Sequence, residues 1–151
     1  MTGVQTCALP IWRAMDIEVD PRVVWGLIQG NPRFADPFGE PAGYAIVEAE
    51  EGSNPGPLLA LYRDKLGYAA ANANALIQGA FRPEFLAFSG VDRRAVSSPE
   101  EMCRRLVFDS FVLNARDASV GSCLTNEAFL FGHFIECWWD CDWRLSFWRI
   151  C

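Results

Sequence analysis

Apolar residues recur at intervals of three and four along the middle of the chain, which is the spacing of one face of an α-helix. This pattern predicts one long amphipathic helix over roughly 58–79, ended by Gly79 and by Arg82-Pro83. The residues that carry the period are Leu58, Tyr62, Leu66, Ala69, Ala73, Leu76, Ile77 and Ala80.

A second, short helix is predicted over about 99–104 from its start signal. Ser98 is a favourable N-cap, Pro99 suits the first helical position, and Glu101 stands where a capping box needs an acidic side chain.

Alternating and continuous apolar runs predict strands elsewhere. The segment 13–29 is interpreted as one or two strands broken at Asp20-Pro21, and the Gly- and Pro-rich segment 30–42 as a long loop. Further strands are predicted over 44–49, 106–113 and 118–124.

The chain ends in a predicted β-hairpin, with strands over 129–139 and 143–150 and a two-residue turn at Cys141-Asp142. Period two then divides the side chains between two faces. One face carries Phe129, Phe131, His133, Ile135, Cys137 and Trp139, joined by Arg144, Ser146, Trp148 and Ile150. The other carries Leu130, Gly132, Phe134, Glu136, Trp138, Trp143, Leu145, Phe147 and Arg149.

Both hairpin faces are apolar, which is typical of a strand covered on both sides or of an exposed interaction patch. Glu136 and Arg149 are predicted to be neighbours across the ladder. The candidate binding residues are Trp138, Trp139, Trp143, Trp148 and Glu136.

The expected fold class is therefore α+β. A mainly antiparallel sheet with a C-terminal β-hairpin packs on one long helix (about 58–79) and a short helix (about 99–104).

Residues 2–11, Thr-Gly-Val-Gln-Thr-Cys-Ala-Leu-Pro-Ile, resemble the translation of a short-read sequencing adapter when they are written back into codons. This resemblance implies that 1–12 is non-native. It also implies that 13–151 forms a single α+β domain, truncated at its N-terminus or starting at Met15.

The composition narrows the classes of partner. A formal net charge of -6 and a pI of about 4.7 disfavour binding to nucleic acid, and no apolar run is long enough to predict a membrane span. The acidic run Glu48, Glu50 and Glu51 is interpreted as a solvated strand end.

With Cys7 set aside, five cysteines remain, and an odd number without a secretory signal predicts reduced thiols in the cytoplasm. Cys123 and Cys137 are candidate nucleophiles. No cofactor is expected.

His133, the one histidine of the sequence, is the candidate catalytic residue. The spacing H-x3-C-x3-C suggests a metal site, but along an extended strand His133 and Cys137 would lie roughly 13 Å apart, too far to share a zinc ion. We expect no metal, and a histidine ring satisfied by backbone groups.

The stretch from Ser98 to Ile150 resembles a family of bacterial domains of unknown function. Those domains carry a capped short helix starting (S/T)-x-E-E-(F/M), an R-L-x-hydrophobic-x-S strand and an F-(W/L/F)-G-H-x-I strand before a terminal hairpin. The matching residues here are Ser98, Glu100, Glu101, Met102, Arg105, Leu106, Phe108, Ser110, Phe129, Phe131, Gly132, His133 and Ile135. The resemblance implies an α+β domain and, by analogy with small acidic domains of this kind, a toxin-immunity protein.

Three functions follow as hypotheses. The first is a bacterial cytoplasmic protein-binding domain, such as an immunity protein that binds a cognate toxin. The second is a small hydrolase or transferase that uses His133 with Glu136 or Asp140. The third is a structural subunit whose tryptophan face forms a homodimer.

Overall fold

A computed structural model describes residues 14–35 and 46–151. These residues form seven strands in one mostly antiparallel sheet of order β1-β2-β4-β5-β6-β7, with β3 pairing β5. The strands are β1 Ala14–Glu18, β2 Ile46–Glu50, β3 Val107–Phe108, β4 Val112–Asn114, β5 Ser119–Thr125, β6 Ile135–Trp139 and β7 Leu145–Ile150. The one parallel pair is β2 with β4.

Six helices accompany the sheet among the described residues: α1 Pro21–Ile28, α2 Pro55–Ala71, α3 Ala73–Ala80, α4 Glu84–Ala87, α5 Pro99–Arg105 and α6 Glu127–Leu130. Their apolar faces join one sheet face in a single core. The largest fully buried side chains include Tyr62, Leu66, Ile77, Phe85, Phe108 and Leu124. The expected α+β class, mainly antiparallel sheet and C-terminal hairpin are confirmed.

The segment after Asp20 is a helix, so its prediction as a strand is wrong. The Asp20 carboxylate accepts a hydrogen bond from the backbone N–H of Arg22 at 2.9 Å, and Pro21 occupies the first turn. Val24 and Ile28, four residues apart, are both buried. The N-cap and proline signal therefore prevails over the β-branched residues that suggested a strand.

The predicted long helix is two helices, α2 and α3, that meet at Asn72. The Asn72 side-chain amide donates to the carbonyl of Tyr68 at 2.9 Å, which is also the acceptor of the Asn72 backbone N–H. Such side-chain bonds compete with the helical ladder, and the backbone turns at this residue.

The short helix is confirmed as Pro99–Arg105. The Ser98 hydroxyl accepts from the N–H of Glu101 at 3.1 Å, as predicted for the N-cap. The Glu101 carboxylate instead accepts from the N–H of Ser97 at 3.2 Å, one residue before the N-cap. In a capping box this carboxylate would accept from the N–H of the N-cap, Ser98. Here it accepts from the preceding residue instead.

The predicted strand 106–113 is interrupted by one extra residue. Phe108 pairs with Leu124, and Val112 pairs with Gly121. An advance of four residues from Phe108 therefore matches an advance of only three residues along β5. Ser110 fills the gap, since its hydroxyl accepts from the N–H of Cys123 at 2.9 Å. This bulge divides β3 from β4.

The C-terminal hairpin starts at Ile135, because α6 occupies 127–130 and Phe131 and Gly132 take positive φ values of 47° and 83°. Residues 129–133 are therefore not part of a strand, and their predicted division between two sheet faces is wrong. The hairpin turn has three residues rather than two, and its last residue, Trp143, is left-handed with φ 63°. The Asp140 carboxylate holds the turn by accepting from the N–H groups of Asp142 and Arg144, both at 2.9 Å.

The facing of the paired hairpin residues is confirmed from 135 to 138. Ile135 pairs with Ile150 and Cys137 with Trp148, while Glu136 pairs with Arg149. The three-residue turn adds a register shift after Trp138. Leu145 consequently pairs with Trp139, so its predicted facing is wrong. The predicted facing is also wrong for Trp143, which packs against the core, and for Arg144 and Ser146.

Three predictions lie partly or wholly outside the described residues. They are the adapter-derived segment 1–12, the loop portion 36–42 and the first residues of the strand 44–49.

Candidate functional site

The two faces of the sheet differ in composition. Val47, Leu113, Val120, Leu124 and Ile135 point into the core. The alternate positions point to the opposite, outer face, because successive strand residues face opposite ways. These outer positions include Asp16, Glu48, Asn114, Ser119, Gly121, Cys123, Glu136, Trp138, Phe147 and Arg149.

An open depression of about 640 Å³ lies on this outer face, and we call it the outer-face depression. None of its described lining residues belongs to a helix, and none is a lysine or an arginine. The lining residues are Glu48, Asn114, Asp117, Ser119, Trp138, Asp140, Cys141, Ser146 and Phe147. Three carboxyl groups and two aromatic rings thus share one concave surface.

The aromatic wall of the depression is held in place by its neighbours. The Trp138 ring lies across Gly121, where an added Cβ would come within 2.6 Å of the indole carbons. The indole N–H of Trp138 donates to Glu136 at 2.9 Å. Phe147 pairs with Trp138 across the ladder and is 46% exposed. The Trp138 ring is therefore oriented by packing, and the Phe147 ring presents apolar surface to solvent.

The pKa values of two carboxyl groups of the depression, Glu48 and Asp117, are shifted in opposite directions. Burial raises the pKa of Glu48, and the facing carboxylate of Asp16 raises it further. Hydrogen bonds from the Ser119 hydroxyl, at 2.6 Å, and from its backbone N–H lower the pKa of Asp117. The charge of Glu48 is thus less compensated by its neighbours than that of Asp117.

Glu136 and Arg149 form the predicted pair across the outer face. The hydrogen bond from the Trp138 indole lowers the pKa of Glu136, and the Arg149 guanidinium lowers it further. The Glu136 side chain is 22% exposed and that of Arg149 is 62% exposed. Glu136 therefore stabilises the hairpin and orients Trp138 beside the depression.

The four tryptophans predicted to bind lie in four different environments. Trp139 is in the core, 2% exposed, with its ring 6.0 Å from that of Phe108. Trp143 stacks on Tyr68 of α2 at 4.5 Å, and Trp148 meets Phe85 edge-on at 5.0 Å. Trp138 alone of the four lines the outer-face depression, where Glu136 contacts it.

His133 lies in the loop between α6 and β6. Its Nδ1 is 3.0 Å from the carbonyl oxygen of Cys151, so this nitrogen carries the proton and donates. The ring packs edge-on against Phe88 at 5.3 Å. The structure does not assemble His133 with Glu136 or Asp140, whose hydrogen bonds go to Trp138 and Arg149 and to the hairpin turn.

The candidate nucleophilic thiols are held in their protonated form. Burial raises the pKa of Cys137 to about 12, and burial also raises the pKa of Cys123. Nucleophilic cysteines have lowered pKa values, so neither environment favours attack. Within 14–35 and 46–151, no group of three or more His, Cys, Asp and Glu side chains could hold a metal ion.

Sequence reasoning missed most of the depression. Neither Phe147 nor Asp117 is among the binding residues predicted from the sequence, and Glu48 is interpreted there as a solvated strand end. The available signal was the alternation of Glu48 and Glu50 with Val47 and Ala49, which indicates one polar strand face. It does not indicate which distant strands lie beside that face.

Comparison with known protein families, curated proteins and solved structures finds no match to this chain. The resemblance of residues 98–150 to bacterial domains of unknown function therefore stays a prediction. Over the ranges that the structure describes, no helix is long and apolar enough to cross a membrane.

Proposed function

We propose that this protein is a protein-binding domain whose outer-face depression receives basic side chains of a partner. The supporting observation is the combination of Glu48, Asp117 and Asp140 with the rings of Trp138 and Phe147 in one open depression. Carboxylates attract a lysine or arginine, and aromatic faces add a cation–π contribution of roughly 0.5–1 kcal/mol at exposed sites.

A protein partner fits this surface better than nucleic acid does. The net charge of -6 attracts basic proteins and repels phosphate backbones. Exposed aromatic residues such as Phe147 are enriched in protein interfaces. We infer a bacterial cytoplasmic protein of the toxin-immunity type, an inference that also rests on the resemblance of residues 98–150.

A titration with the peptide acetyl-Gly-Arg-Gly-Arg-Gly-amide tests the proposed surface. The NMR signal of the Trp138 indole N–H reports directly on the depression. We expect a saturable shift of this signal. Glu48→Gln is expected to weaken binding about threefold to fivefold, which corresponds to one exposed charge contact.

Asp64→Asn is the matched control, because it removes the same charge from an exposed position on α2. Equal weakening by both variants would mean that only net charge matters and would contradict the proposed site. The immunity interpretation has its own test, calorimetric titration against a secreted toxin encoded beside the gene. Absence of binding there would remove that interpretation and leave the peptide result standing.

A further inference from the structure

The last strand, β7, has one edge that no described strand covers. It lies at the end of the sheet and pairs with β6 on its other edge. Phe134 and Cys151 exchange both backbone hydrogen bonds, at 2.9 and 3.3 Å. Such pairs alternate along an antiparallel ladder, so Arg149 also points its backbone groups toward β6. Trp148 and Ile150 consequently direct theirs to the open edge.

Between Phe147 and Ile150, beyond the register shift at Ser146, this edge lacks the features that usually protect an edge strand from pairing. Leu145–Ile150 contains no proline and no lysine, and its single charged residue, Arg149, is paired with Glu136. Its large side chains are accessible, with Phe147 46% and Trp148 38% exposed. The opposite end of the sheet differs, since β1 carries the exposed acids Asp16 and Glu18.

We propose that β7 pairs antiparallel with β7 of a second copy of this chain, with the two-fold axis at Trp148. Residues opposite each other in a sheet share a face, and an axis at a hydrogen-bonded pair requires a residue that directs its backbone groups outward. Trp148 meets both conditions. The pairing joins two seven-stranded sheets into one and closes the assembly as a dimer.

A two-fold axis at Phe147 also satisfies the rule of shared faces, but it is less favourable. The two hydrogen-bonded pairs nearest such an axis would both join Trp148 to Ser146 of the other copy, whereas the central pair of an axis at Trp148 does not involve Ser146. Ser146 lies at the register shift of the hairpin, and its hydroxyl donates to the carbonyl of Trp138. Its backbone is therefore not part of a regular ladder.

The pairing at Trp148 is self-complementary in its side chains. It places Phe147 of each copy opposite Arg149 of the other, on the outer face. An arginine beside an exposed aromatic ring provides a cation–π contact, and symmetry forms this contact twice. Because the contact between Phe147 and Arg149 forms twice, a second copy of this chain fits the open edge of β7 better than an unrelated strand does.

Cysteine cross-linking tests the register. The background is Cys141→Ser, Cys151→Ser, which lacks the two thiols that are exposed in the described part of the chain. In it, single cysteines replace Phe147, Trp148 or Arg149. Opposed residues of a hydrogen-bonded pair have Cα atoms about 5.5 Å apart, which suits a disulfide. The Cα atoms of residue 147 in the two copies would be roughly 8 Å apart, which is too far for a disulfide.

We therefore expect oxidation to give a covalent dimer with Trp148→Cys and none with Phe147→Cys, Arg149→Cys or the background. Cross-linking of Phe147→Cys in place of Trp148→Cys would overturn the register. The background variant controls for the four remaining cysteines, Cys7, Cys103, Cys123 and Cys137.

Sedimentation equilibrium at micromolar concentrations tests the dimer itself. The protein is expected to be dimeric. Phe147→Lys places a like charge opposite Arg149 of the second copy and is expected to raise the dimer Kd at least about tenfold, whereas Phe147→Glu keeps the dimer through opposite charges. A monomeric wild-type protein would overturn the proposal.

Tyr68→Lys serves as the control, because Tyr68 is equally accessible, 45% exposed, but lies on α2. It is expected to leave the dimer intact. Equal dissociation by Tyr68→Lys would assign the interface to another surface. Because the readout is oligomeric state, failure of this proposal leaves the peptide-binding proposal untouched.

Discussion

Both faces of the C-terminal hairpin carry large aromatic side chains, but the two faces have different physical roles. Ile135, Cys137 and Trp139 on the inner face are buried. Trp138 and Phe147 on the outer face stay accessible beside polar groups. Aromatic content alone therefore does not separate a core from a binding surface. The helices that cover one face make that separation.

The largest expected difference between the two faces is in the free energy of unfolding lost when each of the two adjacent tryptophans is replaced. Trp139→Ala leaves a cavity in the core and is expected to lower the free energy of unfolding by about 3–5 kcal/mol. Trp138→Ala removes a half-buried ring and is expected to lower it by roughly 1–2 kcal/mol. Urea denaturation measures both, and equal losses would contradict the distinction between the faces.

A smaller effect tests how firmly the outer face orients its ring. Gly121→Ala places a Cβ where it would come within 2.6 Å of the Trp138 indole. We expect a loss of about 1–3 kcal/mol in the free energy of unfolding, because the ring must move. The same change in a Trp138→Leu background should be tolerated better.

Gly79→Ala is the control for that experiment, since an added Cβ there meets no atom within 4 Å. Within α3 it is expected to stabilise the protein by roughly 0.5–1 kcal/mol. A Gly121→Ala variant as stable as Gly79→Ala would show that Trp138 is loosely held. The depression would then lack a fixed aromatic wall.

The smallest expected effect is the pH dependence of the Glu136 and Arg149 pair. The pKa of Glu136 is lowered from its ordinary 4.5, so its charge stabilises the fold above that pH. The contribution is lost as the pH falls below about 4.5 and through the lower folded-state pKa. Glu136→Gln should flatten this part of the stability profile, as measured by denaturation at a series of pH values.

Elements with strong local signals were predicted well. The helix at Pro99–Arg105 follows from Ser98 and Pro99, and the paired facing of residues 135–138 follows from alternation. The errors lie where two local signals conflict. At Pro21–Ile28 a β-branched run opposed an N-cap, and at Asn72 a side-chain hydrogen bond interrupted an unbroken apolar period.

The candidate site was predicted only in part. Trp138 and Glu136 were identified, but Glu48, Asp117 and Phe147 belong to segments far apart in the sequence. Their proximity depends on the strand order, above all on the parallel pairing of β2 with β4 across a long connection. Strand order is a property of the assembled sheet, so no local pattern reveals it.

The sequence by itself determined which residues of each strand share a face, because alternation is a property of the extended backbone. It also determined the acidic charge and the cap of the short helix. Only the tertiary structure decided which face became the core. Trp138 and Trp139 are identical, adjacent side chains, and of the two only Trp139 is buried, since the helices that the structure describes pack against its side of the sheet.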